Sequence, residues 1–391
     1  MAILDRVDLA AVQDALRARG LDLWLIYDFH HVNPVAGRLL GIGGMGTRRL
    51  FVAIPVAGKP VAIAHRIELQ PMTGFPGEVR PYAAWQELHK HLEGVVRGQR
   101  VAMEVSLEDG VPYLDRVPAG VVQLIERLGG TVESSADLVT LFAARWTATE
   151  LADHRYAAEA LAGIATQTLR EVVQQAGAAR EYAVQQLVLE RMRTKGLVTI
   201  DPPIVAFGAN AASPHYEPHE GSDALLEPEQ VVLLDLWGGR SNETVYADQT
   251  WMGFSGAKVP ADVERVWTIV RDARDAAIAR LRAAVVAGDQ VSGAQLDAAA
   301  RSHIAAHGYG DRFVHRTGHS IDLDLHGSGP HLDSFETNDT RLLLPGVGFS
   351  VEPGIYLPDE YGVRSEVNVV LLETGPEVTP KVLQTALIVA R

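Results

Sequence analysis

The chain has no cysteine in its 391 residues. That excludes disulfide cross-links, a thiolate nucleophile and a thiolate metal ligand, so any metal centre must be built from His, Asp and Glu. Positive charge is also short: 35 Lys and Arg stand against 49 Asp and Glu, a formal net charge of −14. A nucleic-acid partner needs a basic surface, so none is expected. No apolar run approaches the length of a membrane span, and no membrane is expected. The opening "MAILDRVDLAAVQDALRARG" carries charges at helical intervals rather than the apolar core of a secretion signal, so a cytoplasmic protein is expected. Repeats, low-complexity tracts and long linkers are missing too. What remains is an ordinary globular composition, 47% hydrophobic, on a chain long enough for two tightly packed domains.

The pattern divides near residue 145. Residues 5–20 read as an amphipathic helix and "LDLWLIY" as a buried strand. "RRLFVAIPVAGKPVAIAHRI" reads as two strands joined by a Gly-containing turn. "AWQELHKHLEGVV" and "YLDRVPAGVVQLIERLGG" read as helices around an extended "RVAMEVS". Residues 1–144 are therefore expected to form a small α/β domain and residues 145–391 a larger one. The second opens on a long helix for which Thr147 and Glu150 match a capping box. "REYAVQQLVLERMRTKG", residues 260–285 and residues 293–307 supply further helices among Gly-, Asn- and Pro-punctuated strands. The fold class is α/β (α+β).

Four segments carry chemistry. "VVLLDLWGGRSNETVYADQTWMGF" reads as an antiparallel hairpin; with residues 240–243 as its loop, Asp235 falls opposite Asp248. Like charges opposed on one face destabilise a sheet, and a divalent cation between them removes the penalty. "FSVEPGIYLPDEYGVRSEVNVVLLE" repeats this: with Asp359 at the turn, Glu352 falls opposite Glu366. "HRTGHSIDLDLH" supplies His315, His319 and His326, and its alternation predicts a strand with Asp322, Asp324 and His326 on one face. "GANAASPHYEPHEG" places His215 and His219 in a loop. Two Asp, one His and two Glu form a hard, oxygen-rich donor set suited to Mn²⁺, Zn²⁺, Co²⁺ or Fe²⁺. Four carboxylates exceed what one divalent ion needs, which favours two ions.

These segments resemble the metallopeptidases of the methionine aminopeptidase, prolidase and aminopeptidase P type, whose catalytic domain is called the pita-bread fold. The resemblance rests on Asp235, Asp248 within "DQT", His319 within "HRTGH", Glu352 within "EPGIY" and Glu366 within "VRSE", in the family's order. It covers residues 145–391; residues 1–144 resemble the creatinase/prolidase-type N-terminal domain, which methionine aminopeptidases generally lack. The resemblance implies Asp235, Asp248, His319, Glu352 and Glu366 as ligands of two divalent ions, Mn²⁺ first, Zn²⁺ or Co²⁺ as alternatives. It implies hydrolysis of the Xaa-Pro bond, in dipeptides at this chain length, with an Xaa-Pro aminopeptidase on longer peptides as the alternative. A creatinase-like hydrolase or a catalytically dead scaffold fits less well, because all five ligand types are present. Glu352 is implied as the proton shuttle, His326 as the group that meets the scissile carbonyl, and His215 as a contact on the proline side. His315 and Arg364 are further candidates for substrate binding.

A homodimer is expected, with a wall limiting substrate length supplied by "YDFHHVNPVAGRLLGIGGMGTRR", whose candidate donors are His30, His31, Arg38, Arg48 and Arg49. His89, His91, His154, His303 and His307 lie in helical segments and are expected at the surface. Three departures from the family pattern stand near the ligands: Asp322 where a Gly is usual, Gly327 where an acid is usual after His326, and Val367 after Glu366, with Asn368 next.

Overall fold

A computed structural model describes Leu4, residues 7–42 and residues 46–391. It divides into two compact units, Met1–Ala144 and Arg145–Arg391. Among the described residues no helix is long and apolar enough to cross a membrane.

The first unit is a six-stranded mixed sheet. Its strands are β1 (Leu23–Asp28), β2 (Leu50–Pro55), β3 (Val61–His65), β4 (Glu78–Tyr82), β5 (Arg100–Met103) and β6 (Thr131–Ser134), in the order β4-β3-β2-β1-β5-β6. Both faces are covered, which explains why β1 reads as an unbroken apolar run. Trp24 and Ile26 pack with Val12 and Leu16 of α1 (Leu9–Arg19), Leu39 of α2 (Pro34–Leu40) and Leu138 of α5 (Ala136–Phe142). Leu23, Leu25 and Tyr27 pack with Leu88 and Leu92 of α3 (Trp85–Val96) and Ile125 of α4 (Ala119–Arg127). Asp8 caps α1 by accepting from the Ala10 and Ala11 amides. Residues 5 and 6, where the sequence pattern starts this helix, lie outside the described residues.

Within "YDFHHVNPVAGRLLGIGGMGTRR", residues 34–40 form α2, because Asn33 caps it and Pro34 occupies its first turn. Residues 43–45 lie outside the described residues. Arg38 is buried and donates to the Ala143 carbonyl, so it is spent inside the first unit and is not a substrate donor. His30, His31 and Arg48 are exposed; Arg48 and Arg49 line a cavity of about 430 Å³ with Tyr27, Phe29, His65 and Tyr82.

The second unit begins with α6 (Ala148–Val172), where Thr147 and Glu150 form the capping box reciprocally, at 3.2 and 2.7 Å. Then come α7 (Glu181–Thr194), β7 (Ile204–Phe207), β8 (Val231–Gly238), β9 (Ala247–Phe254), α8 (Ala261–Ala287) and α9 (Gly293–Ala306). The remaining strands are β10 (Ser320–Ile321), β11 (Gly348–Val351), β12 (Gly354–Leu357), β13 (Tyr361–Arg364), β14 (Val367–Leu372), β15 (Gly375–Thr379) and β16 (Ile388–Val389). They form sheets β16-β9-β8-β7 and β10-β11-β14-β15 and the hairpin β12-β13. One face of β8, bearing Val232, Leu234 and Leu236, packs on Leu161, Ala165 and Leu169 of α6. Strand alternation turns Asp235 to the opposite face, with the β9 residues Asp248 and Thr250. There β9 meets β14: the Asp248 amide donates to Asn368 Oδ1 at 2.9 Å.

Helix α6 also holds a histidine that does not match the surface expectation. His154 is fully buried. Its Nδ1 donates to the Tyr246 carbonyl at 2.9 Å and its Nε2 accepts from Thr379 Oγ1 at 2.8 Å. Burial pushes its pKa down to about 4.

Candidate functional site

In the β8–β9 ladder Asp235 pairs with Thr250, and Trp237 pairs with Asp248. The aspartates are therefore not directly opposed as the four-residue loop would have it. The turn is longer because Gly239 is drawn away from its partner strand. It exchanges hydrogen bonds with Val198, at 3.0 and 2.8 Å, while Thr244 binds Asp153 at 3.0 Å. The resulting slip is two residues. A two-residue slip preserves the face, so Asp235 and Asp248 become diagonal neighbours, a relation that typically spans about 7–8 Å.

The second hairpin keeps the expected register. Gly354 lies opposite Arg364 and Gly348 opposite Val370. Continuing either ladder puts Glu352 opposite Glu366, in the break between β11 and β12. Asp359 sits at the turn with a positive φ of 62°. His319 is brought alongside by β10, which pairs with β11 at Ser320–Phe349. Gly318, in the H-x-x-G-H element, has a stringent reason to be glycine: a Cβ there would lie 2.0 Å from the Ser350 carbonyl oxygen.

Asp248, His319 and Glu366 each offer a ligand atom, all within 4.8 Å of one another. His319 Nε2 also faces the Glu352 carboxylate at 3.4 Å. His319 Nδ1 donates to the Ser320 carbonyl at 3.2 Å, which leaves the Nε2 lone pair directed at the carboxylates. Asp235 joins through Thr250, whose hydroxyl lies 3.1 Å from Asp235 Oδ1 and 2.9 Å from Glu366 Oε2. Burial pushes the Asp248, Glu352 and Glu366 carboxyls above the ordinary carboxylate range, and neighbouring carboxylates push the same way. Burial also holds His319 below its usual value, favouring the neutral, ligating form. Glu366 Oε1 is buried with no hydrogen-bond partner among the described residues. Hard oxygen donors, one imidazole nitrogen and an orphaned carboxylate oxygen together fit a divalent cation, which would also offset the clustered negative charge.

The other candidates differ in their surroundings. His326 is exposed on a loop beside the candidate ligands, its ring 4.3 Å from that of His319 at an interplanar angle of 84°. His215 is exposed on the loop after β7, near enough to interact electrostatically with His315 and His326. Both ring nitrogens of His315 are committed: Nδ1 donates to the Arg316 carbonyl and Nε2 accepts from the Tyr356 hydroxyl, each at 2.7 Å. Burial and the Arg364 charge push its pKa down to about 3. Arg364 is buried against Asp235, Thr250 and Tyr356, at 2.5, 2.8 and 3.2 Å, so it orients a carboxylate instead of standing open to substrate. The strand expected over "IDLDLH" stops after Ile321. Asp322 accepts from the Asp324 and Ser328 amides and curls the chain into a loop, which overrides the alternation.

Several positioning residues escape the ligand pattern. Thr250 bridges Asp235 and Glu366; Asn368 holds the Asp248 backbone; Ser350 donates to Glu352 Oε1 at 2.9 Å. Each lies two residues from a ligand, on the ligand's side of an extended chain, and that period-two offset is the signal that could have found them. Tyr356, between His315 and Arg364, offers no such signal.

The geometry agrees with comparisons to known proteins. The profile of metallopeptidase family M24 matches residues 153–373, which contain all five candidate ligands. A probable dipeptidase PepE of Mycobacterium bovis is 29% identical over 84% of this chain and 82% of its own length. An Xaa-Pro dipeptidase of Lactobacillus delbrueckii subsp. lactis is 33% identical over 51% of this chain and 50% of its own. Among solved structures, dipeptidase PepE of Mycobacterium ulcerans superposes with a TM-score of 0.76 at 25% identity, covering 98% of this chain and 97% of that one. A prolidase from Thermococcus sibiricus covers all of both chains with a TM-score of 0.70 at 22% identity, which establishes the shared pita-bread architecture. With the matched segment spanning more than half of the sequence and enclosing the carboxylate–histidine centre, this chain belongs to metallopeptidase family M24.

Proposed function

We propose that this protein is a dinuclear-metal dipeptidase that hydrolyses the Xaa-Pro bond, with Mn²⁺ as the first candidate metal and Zn²⁺ or Co²⁺ as alternatives. The observation that carries the reading is the convergence of ligand atoms of Asp248, His319 and Glu366 within 4.8 Å of one another, with a Glu366 oxygen that has no partner among the described residues and with Glu352 and Asp235 beside them. The relatives named dipeptidase and Xaa-Pro dipeptidase support the substrate class. Asp235, Asp248, His319, Glu352 and Glu366 would hold the ions. Bound there, divalent ions lower the pKa of water and polarise a carbonyl.

The chain's own groups do the rest. Glu352, oriented by Ser350, takes the proton of the attacking water and returns it to the leaving nitrogen. His326 donates to the scissile carbonyl oxygen as negative charge develops on it. His215 meets the proline side. Arg364 and Thr250 keep Asp235 and Glu366 aimed inward. A proline nitrogen has no hydrogen for a general peptidase to grip, so a site shaped to the ring supplies the lost contact. A cytoplasmic homodimer completes the proposal; light scattering of the purified chain tests the dimer.

The deciding experiment strips the protein with chelator, restores Mn²⁺, Zn²⁺ or Co²⁺, and compares Xaa-Pro with Xaa-Pro-Yaa. Metal-dependent cleavage of the dipeptide in preference to the tripeptide is expected. Preference for the tripeptide would make the protein an Xaa-Pro aminopeptidase, and hydrolysis of neither would overturn the reading.

A further inference from the structure

We infer that Asp322 is a positioning residue for His326, and that residue 327 is glycine because Asp322, through both its carboxylate and its backbone amide, fills the space a side chain there would need. The first half rests on the reading of His326 as the group that meets the scissile carbonyl. The second half stands on packing alone.

His326 has an unusual problem for a residue that must sit within hydrogen-bond reach of a reacting carbonyl. It is exposed and lies on a loop, outside the helix and sheet framework. The loop is closed at its base by the Gly327 amide, which donates to the Ser320 carbonyl at 2.7 Å. Inside the loop the Asp322 amide donates to the Asp324 carbonyl at 3.1 Å. The Asp322 carboxylate then ties both limbs together. Oδ1 accepts from the Asp324 amide at 2.9 Å and Oδ2 from the Ser328 amide at 2.8 Å. His326 lies between these two anchor points. The tether leaves it few backbone conformations, and in the one adopted its ring stands edge-on to His319.

Gly327 completes the arrangement. A Cβ at residue 327 would lie 2.7 Å from Asp322 Cγ and Oδ2 and 2.9 Å from the Asp322 amide nitrogen. A side chain at residue 327 would therefore collide with the Asp322 carboxylate and with the Asp322 backbone. Asp322 and Gly327 are thus packed directly against each other, with the acid at residue 322 occupying part of the space a side chain at residue 327 would need. The far side of the loop is anchored independently. Arg341, held by Asp339, donates to the Ser328 and Gly329 carbonyls, each at 2.6 Å. Loss of the Asp322 carboxylate should therefore loosen the segment carrying His326 while the chain from Ser328 onward stays in place.

The test is a pair of double-mutant cycles on the metal-loaded enzyme, with kcat and KM for an Xaa-Pro dipeptide, metal content and thermal midpoint read for every variant. D322A is expected to lower kcat by about tenfold or more, with KM within about twofold and metal content unchanged, because an interaction used in the transition state is lost. D322N keeps one of the two acceptor bonds and should fall between D322A and wild type. In an H326A background, D322A should cause no further loss. A further loss as large as in wild type would show that Asp322 does not act through His326. In the second cycle D322G and G327A should each cost activity and thermal midpoint, and the double variant should lose less than the two losses combined, because the carboxylate contacts are gone and only the Asp322 amide contact remains. Multiplying losses would overturn the shared packing, since residues sharing one space are non-additive. If H326A alone left hydrolysis intact, the role of His326 and the positioning claim would both fall. The midpoints of the second cycle would still decide whether Asp322 and Gly327 share space.

Discussion

Two buried glutamates of the second unit, Glu181 and Glu366, have opposite surroundings. Glu181, in the first turn of α7, accepts from the Phe207 amide at 2.7 Å, Asn210 Nδ2 at 3.0 Å, the Tyr216 hydroxyl at 2.6 Å and the Ala224 amide at 2.7 Å. Among the described residues Glu366 accepts from the Thr250 hydroxyl alone and its other oxygen has no partner, and Asp248, Glu352 and Asp235 crowd it with like charge. A buried carboxylate is tolerated when donors or cations complete it. Glu181 is completed by the chain itself, and what it completes is the loop that carries His215. Among the described residues nothing completes Glu366, and a divalent cation would. Burial therefore does not mark the functional carboxylate; the missing donors do.

The sharpest way to break this comparison is to neutralise Glu366. Glu366→Gln, like Asp248→Asn, should reduce activity by about a thousandfold or more and lower metal stoichiometry, measured by turnover and elemental analysis. Metal-free protein should respond in the opposite sense. The folded-state pKa of Glu366 is raised, so its stabilising contribution is complete below the unfolded value and is lost as pH rises through the folded one. At neutral pH, metal-free Glu366→Gln should therefore melt above metal-free wild type. A lower melting point would mean that the carboxylate contributes to folding and does not wait for a cation.

His154 sharpens the comparison with a buried group that is complete yet still titration-sensitive. Its pKa falls from near 6.5 to about 4, so the folded state holds it neutral. The stability from this group is present above the unfolded value and is lost as pH falls through the folded one. Between pH 6.5 and 4 the loss should reach about 3 kcal/mol, at about 1.4 kcal/mol per unit. Urea unfolding across that range should show a shallower decline for His154→Gln than for wild type. Equal declines would remove His154 as a cause of acid sensitivity.

His154 also shows where the sequence stops being legible. Helix α6, its capping box and its length come from local pattern, but which face of a mostly Ala-rich helix is buried depends on β9 and β15, far away in sequence. Asp235 and Asp248 were visible as ligand types, and their shared face came from period two. Their register did not, because Val198 captures Gly239 from outside the hairpin. Glu352 and Glu366 were legible to the residue, since a tight turn at Asp359 leaves no slack. Alternation over residues 321–326 misled, because an aspartate bonded to two nearby amides outweighs a polar/apolar pattern. Arg364 could be placed beside Glu366 by spacing, whereas its commitment to Asp235 could not.

The smallest expected effect tests the other half of the comparison. Glu181→Gln replaces one acceptor oxygen with an NH₂ group. Whichever way the amide turns, that group faces donors: the Phe207 amide and Asn210 on one side, or the Tyr216 hydroxyl and the Ala224 amide on the other. At least one buried donor loses its acceptor, which costs about 1–3 kcal/mol of stability. The loop bearing His215 is the part released, so KM for the dipeptide should rise more than kcat falls. Metal content should stay at the wild-type level, because no ligand is touched. A Glu181→Gln protein that lost its metal would merge the two classes of buried glutamate. One that kept its metal and lost substrate affinity would hold them apart.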